Sequence, residues 1–165
     1  MDLEFDGDVG EIMEDIGVMP LPPYIKRDSG KKDRDTYQTV YARLPGSIAA
    51  PTAGLHFTED LLNRLKEKGV EVVTITLHVG VGTFLPIKTE KVEDHKMKEE
   101  FYSISRESAE KLDQALKDGR RIIAVGTTAC RTLESAGKSG KIAEGSGWTD
   151  IFIYPGFEFK IVRGL

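Results

Sequence analysis

The sequence predicts an α/β fold, a mixed and largely parallel sheet flanked by helices. Two observations carry that expectation. From residue 59 onward, helical and strand periodicities alternate as helix, strand, helix, strand, helix. Glycine-rich turns follow the strands, as they do where parallel strands are joined through helices. With 165 residues, 39% of them hydrophobic and 30% charged, the chain has enough material for one buried core. Residues 1–165 therefore read as a single α/β domain, with residues 18–36 as a proline-rich, basic connecting segment inside it.

The elements follow in order. Val9, Ile12, Met13 and Ile16 recur at helical spacing and Gly17 supplies a stop, so residues 8–17 read as a short amphipathic helix. The next stretch, PLPPYIK, is too rich in proline to coil, and it leads into the mixed-charge loop IKRDSGKKDR. TYQTVYARL alternates β-branched and aromatic residues with polar ones and is predicted to be a strand. Thr58 is placed to cap a helix over residues 59–68, whose first turn carries Glu59 and Asp60 and whose apolar face is Leu61, Leu62 and Leu65. VEVVTITLHV, residues 70–79, puts Val73, Ile75, Leu77 and Val79 on one face of a strand and Val72, Thr74, Thr76 and His78 on the other. A helix begins at Ser105 and ends at Asp118-Gly119, RIIAVG follows as a compact buried strand, and another helix opens at Thr127 or Thr128. GWTDIFIYPG supplies a further strand closed by Pro155-Gly156, and EFKIV continues as one more.

Composition excludes several functions. The formal net charge of −4 argues against coating nucleic acid non-specifically, because that binding needs many basic side chains on phosphates. No run approaches the roughly 18 apolar residues of a membrane span, and the acidic N-terminus is unlike a secretory signal. The expectation is a cytoplasmic protein without membrane contact. The single cysteine, Cys130, reads as a small buried hydrophobe, and the three histidines lack zinc-site spacing, so no metal is expected.

The chemistry concentrates in two turns, GSIAAPTAGLHFT (residues 46–58) and LHVGVGTF (residues 77–84), which bracket a helix and a strand. Glycine there lets backbone amides approach a ligand. His56 stands just ahead of a helix start, and His78 lies at a strand end before Gly80 and Gly82, where open α/β sheets place ligands. Each has a plainer reading, as a turn or core histidine bonded to backbone. His95 sits among Glu93, Asp94, Glu99 and Glu100, where a solvated surface histidine is the plain alternative. The turn VGTT at residues 125–128 opens a helix, so its amides and the Thr127 and Thr128 hydroxyls can hold an anion or a ribose, or one threonine simply caps the helix. Arg131, one turn on, reaches an anion from the same end or pairs with Glu134. Asp150 beside Trp148 reads either as a base-reading and base-stacking pair or as a loop acid next to a core tryptophan.

The blocks PLPPYI, YQTVYARLPGSIAAPTAGLHFT, LHVGVGTF, HKMKEEF, AVGTTACRTLES and GWTDIFIYPGFEF, taken in order, resemble signature segments of the S-adenosylmethionine:tRNA ribosyltransferase-isomerases. The resemblance covers essentially the whole chain. It implies transfer of the ribosyl part of S-adenosylmethionine, a co-substrate, to 7-aminomethyl-7-deazaguanine at the wobble position of tRNA. Isomerisation then gives epoxyqueuosine-tRNA with release of adenine and methionine. It also implies His56, His78 and His95 as catalytic residues. The substrate-binding set is Thr52, Gly54, Thr58, Gly80, Gly82, Thr83, Phe84, Glu100, Thr127, Thr128, Arg131 and Asp150, on a chain expected to be monomeric. Family members are about twice this length, so the chain is expected to be a central portion lacking most of the family's β-barrel domain. The alternative is an inactive portion that only binds S-adenosylmethionine or tRNA. Two departures stand out. Where the family commonly has His-x-Met-His, this chain has His95, Lys96, Met97 and Lys98, and its Gly-Thr-Thr block continues with Ala129 and Cys130.

Overall fold

In the computed structural model, residues 7–84 and 86–165 are described, apart from the side chains of Val81 and Phe84. The helices form where the sequence carries their signals. Helix α1 spans Val9–Ile16, with the Asp8 carboxylate accepting the Gly10 and Glu11 amides as N-cap and Gly17 closing it. Its apolar side is uncovered: Val9, Met13 and Ile16 are all exposed. A single turn, α2 (Asp33–Thr36), follows the basic loop. In α3 (Glu59–Glu67), the Thr58 hydroxyl accepts the Leu61 amide at 3.1 Å, and Leu62 is the buried residue. Helix α4 (Arg106–Lys117) begins at Ser105, whose hydroxyl accepts the Ser108 amide. It ends where Gly119 adopts φ +65°, a left-handed conformation that glycine enters without steric cost. Helix α5 spans Thr127–Ala136.

The predicted largely parallel sheet is not what forms. Strands β1 (Thr76–His78), β2 (Glu100–Ile104) and β4 (Gly145–Thr149) make an antiparallel sheet in the order β1-β2-β4. Among the described residues, parallel pairing is confined to β3 (Ile122–Ile123) and β5 (Val162–Gly164). The reason lies in the connections. Among the described residues between β1 and β2 there is no helix of α type, only a proline-containing loop with short 3₁₀ turns, so the chain returns antiparallel instead of crossing over. The crossover helix α4 does follow β2, but it delivers the chain to the second, two-stranded sheet.

Three strand expectations are also corrected. TYQTVYARL forms turns instead of a strand: Tyr37 and Thr39 are buried while Val40 and Leu44 are exposed, and the Ala42 amide bonds back to the Thr39 carbonyl at 3.1 Å. The alternation there reports burial without a partner strand. Of residues 70–79 only Thr76–His78 enter a ladder, although Val73 and Ile75 pack on the core and Val79 is buried, as the predicted apolar face requires. The strand in GWTDIFIYPG ends at Thr149, before the DIFIYPG part begins.

The core joins both sheets and two helices: Ile104 from β2, Ala109 and Leu112 from α4, Ile122 from β3, Cys130 and Leu133 from α5, and Ile161 with Val162 at β5. Cys130 is indeed a buried hydrophobe, and burial pushes its thiol up from the usual value. Glu134 is not paired with Arg131. Its carboxylate accepts the amides of Lys160, Ile161 and Val162 at 2.8–3.0 Å and so fixes the start of β5 against α5. Among the described residues no helix is long and apolar enough to cross a membrane.

Candidate functional site

The first glycine turn lies along the end of β1. The Ile48 amide donates to the Val79 carbonyl at 2.8 Å. The Ser47 hydroxyl donates to the Leu77 carbonyl and accepts the Val79 amide, both at 3.2 Å. One side chain thus stands in for the ladder partner that β1 lacks on that edge. Gly46 has φ +132°, and a Cβ there would come within 2.6 Å of the His78 ring nitrogen Nδ1. Nδ1 is buried and has no hydrogen-bond partner among the described residues. The ring stacks on Phe101, directly across the ladder, with centroids 5.8 Å apart.

The same segment then turns through a 3₁₀ helix, Thr52–His56. Gly54 is buried against Tyr41 and Thr39: a Cβ would run into the Tyr41 hydroxyl and reach within 2.8 Å of the Thr39 methyl. Thr52 and His56 are exposed on this turn. Gly126 lies on the other side of it. A Cβ at Gly126 would sit 3.8 Å from the Cβ atoms of both Pro51 and Ala53, ordinary van der Waals contact, so φ +91° is what calls for glycine there. Gly126 is itself the N-cap of α5, and neither Thr127 nor Thr128 caps the helix through its hydroxyl. Thr127 is exposed and Thr128 half-buried.

The second glycine turn is held by a buried ion pair. The Gly80 amide donates to one carboxylate oxygen of Glu100 at 3.2 Å, and the other oxygen pairs with the Arg131 guanidinium. Arg131 also donates to the carbonyls of Ile151 at 2.8 Å and Thr149 at 3.4 Å. Both members are nearly inaccessible. Arg131 and Glu100 are therefore turned inward, tying the Gly80 turn, β2, α5 and the carbonyls flanking Asp150 into one unit. The Asp150 residue itself is exposed.

The remaining candidates are more dispersed. Gly82 and Thr83 lie in the 3₁₀ turn Val81–Phe84, where a Gly82 Cβ would meet the Lys98 stem at 3.1 Å, and the Phe84 side chain lies outside the described residues. Thr58 spends its hydroxyl on the α3 cap. His95 is half-buried with its ring edge-on to Phe152, centroids 4.7 Å apart, next to the Ile151 that Arg131 holds. No hydrogen bond or ring contact among the described residues joins His56 to His78 or to His95. A surface hollow lined by Arg43, Thr74, Ser105 and Lys111 among others includes none of these turns. Among the described residues no group of three or more His, Cys, Asp or Glu is placed to hold a metal ion.

Sequence reasoning did not single out Ser47, Tyr41 or Phe101, and it offered Glu134 only as an ion-pair partner for Arg131. Ser47 was inside the first glycine block and Phe101 inside HKMKEEF, but their roles depend on register and on long-range approach, which no local pattern encodes.

A family model described as a queuosine biosynthesis protein matches residues 1–165. The chain belongs to that family. Two relatives named S-adenosylmethionine:tRNA ribosyltransferase-isomerase, from Clostridioides difficile and a Thermoanaerobacter species, are 56% and 57% identical over 162 residues, covering 98% of this chain and 47% of each relative. The chain thus spans about half the length of the curated relatives it matches. A crystal structure of an S-adenosylmethionine tRNA ribosyltransferase from Thermotoga maritima is 41% identical with a TM-score of 0.51, over 67% of this chain and 33% of that one. Relatives within the queuosine family thus carry the name of an enzyme that modifies tRNA.

Proposed function

We propose that this chain carries the ribosyl transfer and isomerisation chemistry of the S-adenosylmethionine:tRNA ribosyltransferase-isomerases. Its substrates would be S-adenosylmethionine and tRNA bearing 7-aminomethyl-7-deazaguanine at the wobble position, and its product epoxyqueuosine-tRNA. The observation that supports this reading most is the meeting of the family's signature turns. Residues 46–48 run beside β1 at His78 and Val79, while residues 51–53 pack against Gly126 at the start of α5. The Gly80 turn is bound to the same helix through Glu100 and Arg131.

The chemistry such a site must do is demanding. A sulfonium acidifies the adjacent C5′ protons, so transfer through a sulfur ylide needs a base, a group that stabilises developing charge, and an acid for the departing adenine. Histidine suits the first and last tasks because its ordinary pKa lies near neutrality. We assign these to His56 and His78, with His95 as a further catalytic residue. Thr52, Gly54, Thr58, Gly80, Gly82, Thr83, Thr127, Thr128 and Asp150 line the substrates, and Glu100 and Arg131 position the Gly80 turn. We further propose that the chain is a single α/β domain, cytoplasmic and monomeric.

The test is adenine release from S-adenosylmethionine in the presence of tRNA carrying the aminomethyl-deazaguanine. Adenine above the level without tRNA, abolished in His56→Ala and His78→Ala variants that remain folded, is the expected result. Full activity in both variants would overturn the assignment of acid and base. No adenine from a folded chain that still binds S-adenosylmethionine would reduce the function to ligand binding.

A further inference from the structure

The solvent face of the antiparallel sheet carries two parallel rows of side chains. The ladder places His78 opposite Phe101 and Phe101 opposite Trp148, one aromatic from each of β1, β2 and β4. Two residues along, Thr76 lies opposite Ser103 and Ser103 opposite Ser146, a row of hydroxyls. Side chains alternate across a strand, so both rows share one face, about 6.6 Å apart. The opposite face is the buried one, with Glu100, Ile104 and Thr149 inaccessible. His78 and Phe101 stack at 5.8 Å, and Phe101 meets Trp148 edge-to-face at 5.5 Å. Gly46 walls the His78 end of the aromatic row, whereas Trp148 at the other end is 65% exposed.

Trp148, at the open end of the aromatic row, leaves most of its ring in water and available to a flat partner. We propose that this face is a stacking platform for an unpaired base of single-stranded RNA, the aromatic row taking the base plane and the hydroxyl row its polar edge. The proposal rests on the reading that RNA is a substrate, and adds where a base of it is held. Open antiparallel sheets with cross-strand aromatics bind unstacked bases in this way, whereas small molecules are mostly buried in concave pockets. Lys96 and Lys98, both exposed, lie just ahead of β2 at the strand end nearer the aromatic row, where they can meet phosphates, with exposed Glu99 and Asp150 close by in the sequence.

Trp148 is the chain's only tryptophan, so its fluorescence reports on the platform directly. Three probes are titrated into the 165-residue chain: an unmodified tRNA anticodon stem-loop, a fully paired RNA duplex of equal length, and adenosine. The platform predicts saturable quenching by the stem-loop and none by the duplex. By anisotropy of labelled stem-loop, Trp148→Ala weakens binding about tenfold, Trp148→Phe restores most of it, and Ser146→Glu weakens it by adding a carboxylate beside the rings. Unchanged stem-loop affinity in both Trp148→Ala and Ser146→Glu overturns the platform and leaves the ribosyltransferase reading standing. Equal quenching by the duplex overturns it in favour of phosphate contacts alone, and quenching by adenosine without the stem-loop overturns it in favour of the co-substrate's adenine. Quenching and a Trp148→Ala defect in a chain that releases no adenine would sustain the platform and sink the proposed activity.

Discussion

Arg131 and Glu100 form a buried ion pair between helix α5 and strand β2, and the second oxygen of the same carboxylate holds the Gly80 amide. A long-range electrostatic contact thus sets the position of a glycine turn that belongs to the candidate site. Removing one partner of such a pair leaves an uncompensated charge out of water.

Arg131→Ala and Glu100→Ala should each cost about 3–5 kcal/mol. The double variant should cost clearly less than the sum, because each change removes the reason the other is harmful. Urea unfolding of the four proteins measures the coupling; additive costs would mean that the two side chains act separately.

Glu134 makes a similar prediction by a different route. Its carboxylate accepts three backbone amides at the entry to β5, and Ile161 beside them is fully buried. Glu134→Ala leaves those donors unpaired at roughly 1–3 kcal/mol each before relaxation, enough to free the C-terminal strand. Hydrogen exchange should show the Ile161 and Val162 amides losing protection ahead of those in α4.

These two carboxylates show where the sequence was legible and where it was not. The helices α3, α4 and α5 were readable because their signals are local: Thr58 and Ser105 cap through their own hydroxyls, and the glycines after the strands or helices permit positive φ. Pairing direction was not readable. Alternating helix and strand patterns suggested parallel crossovers, but β1 reaches β2 through a loop, and a loop return permits antiparallel pairing. The segment Tyr37–Tyr41 alternates like a strand because Tyr37 and Thr39 are buried and Thr39 and Tyr41 face Gly54, without any ladder. Within the site, the glycine turns were visible as composition, whereas the partners Arg131 chose were not: Glu134 at i,i+3 was the local candidate, and Glu100, far off in sequence, took the charge. Trp148, which the sequence left as either a base-stacking or a core residue, is exposed.

Gly46→Ala should disturb His78 specifically. The added Cβ would need space 2.6 Å from Nδ1, at a φ that side chains rarely adopt. A displaced His78 ring signal in NMR together with about 1–3 kcal/mol of lost stability is expected. An unshifted ring would place the Gly46 turn elsewhere in solution.

Acid should loosen the basic loop through Asp33. The Arg27 guanidinium, at 2.7 Å, and the Gly30 amide hold the Asp33 carboxyl at about 2, down from 3.8. A depressed folded-state pKa contributes stability above the unfolded value, and that contribution fades as pH falls from about 3.8 toward about 2. Asp33→Asn should remove this part of the acid dependence, and an Asp33 carboxyl titration with its midpoint at the ordinary value would refute the pairing.

On the proposed function, the turns at residues 46–54, 78–83 and 126–128 form one S-adenosylmethionine site. Titrating S-adenosylmethionine into the isotopically labelled chain tests it most directly. Saturable amide shifts concentrated at Gly46, Thr52, Gly54, His78, Gly80 and Gly126–Thr128 are expected. Shifts confined to the hollow around Arg43 and Lys111, or none in a folded chain, would contradict it.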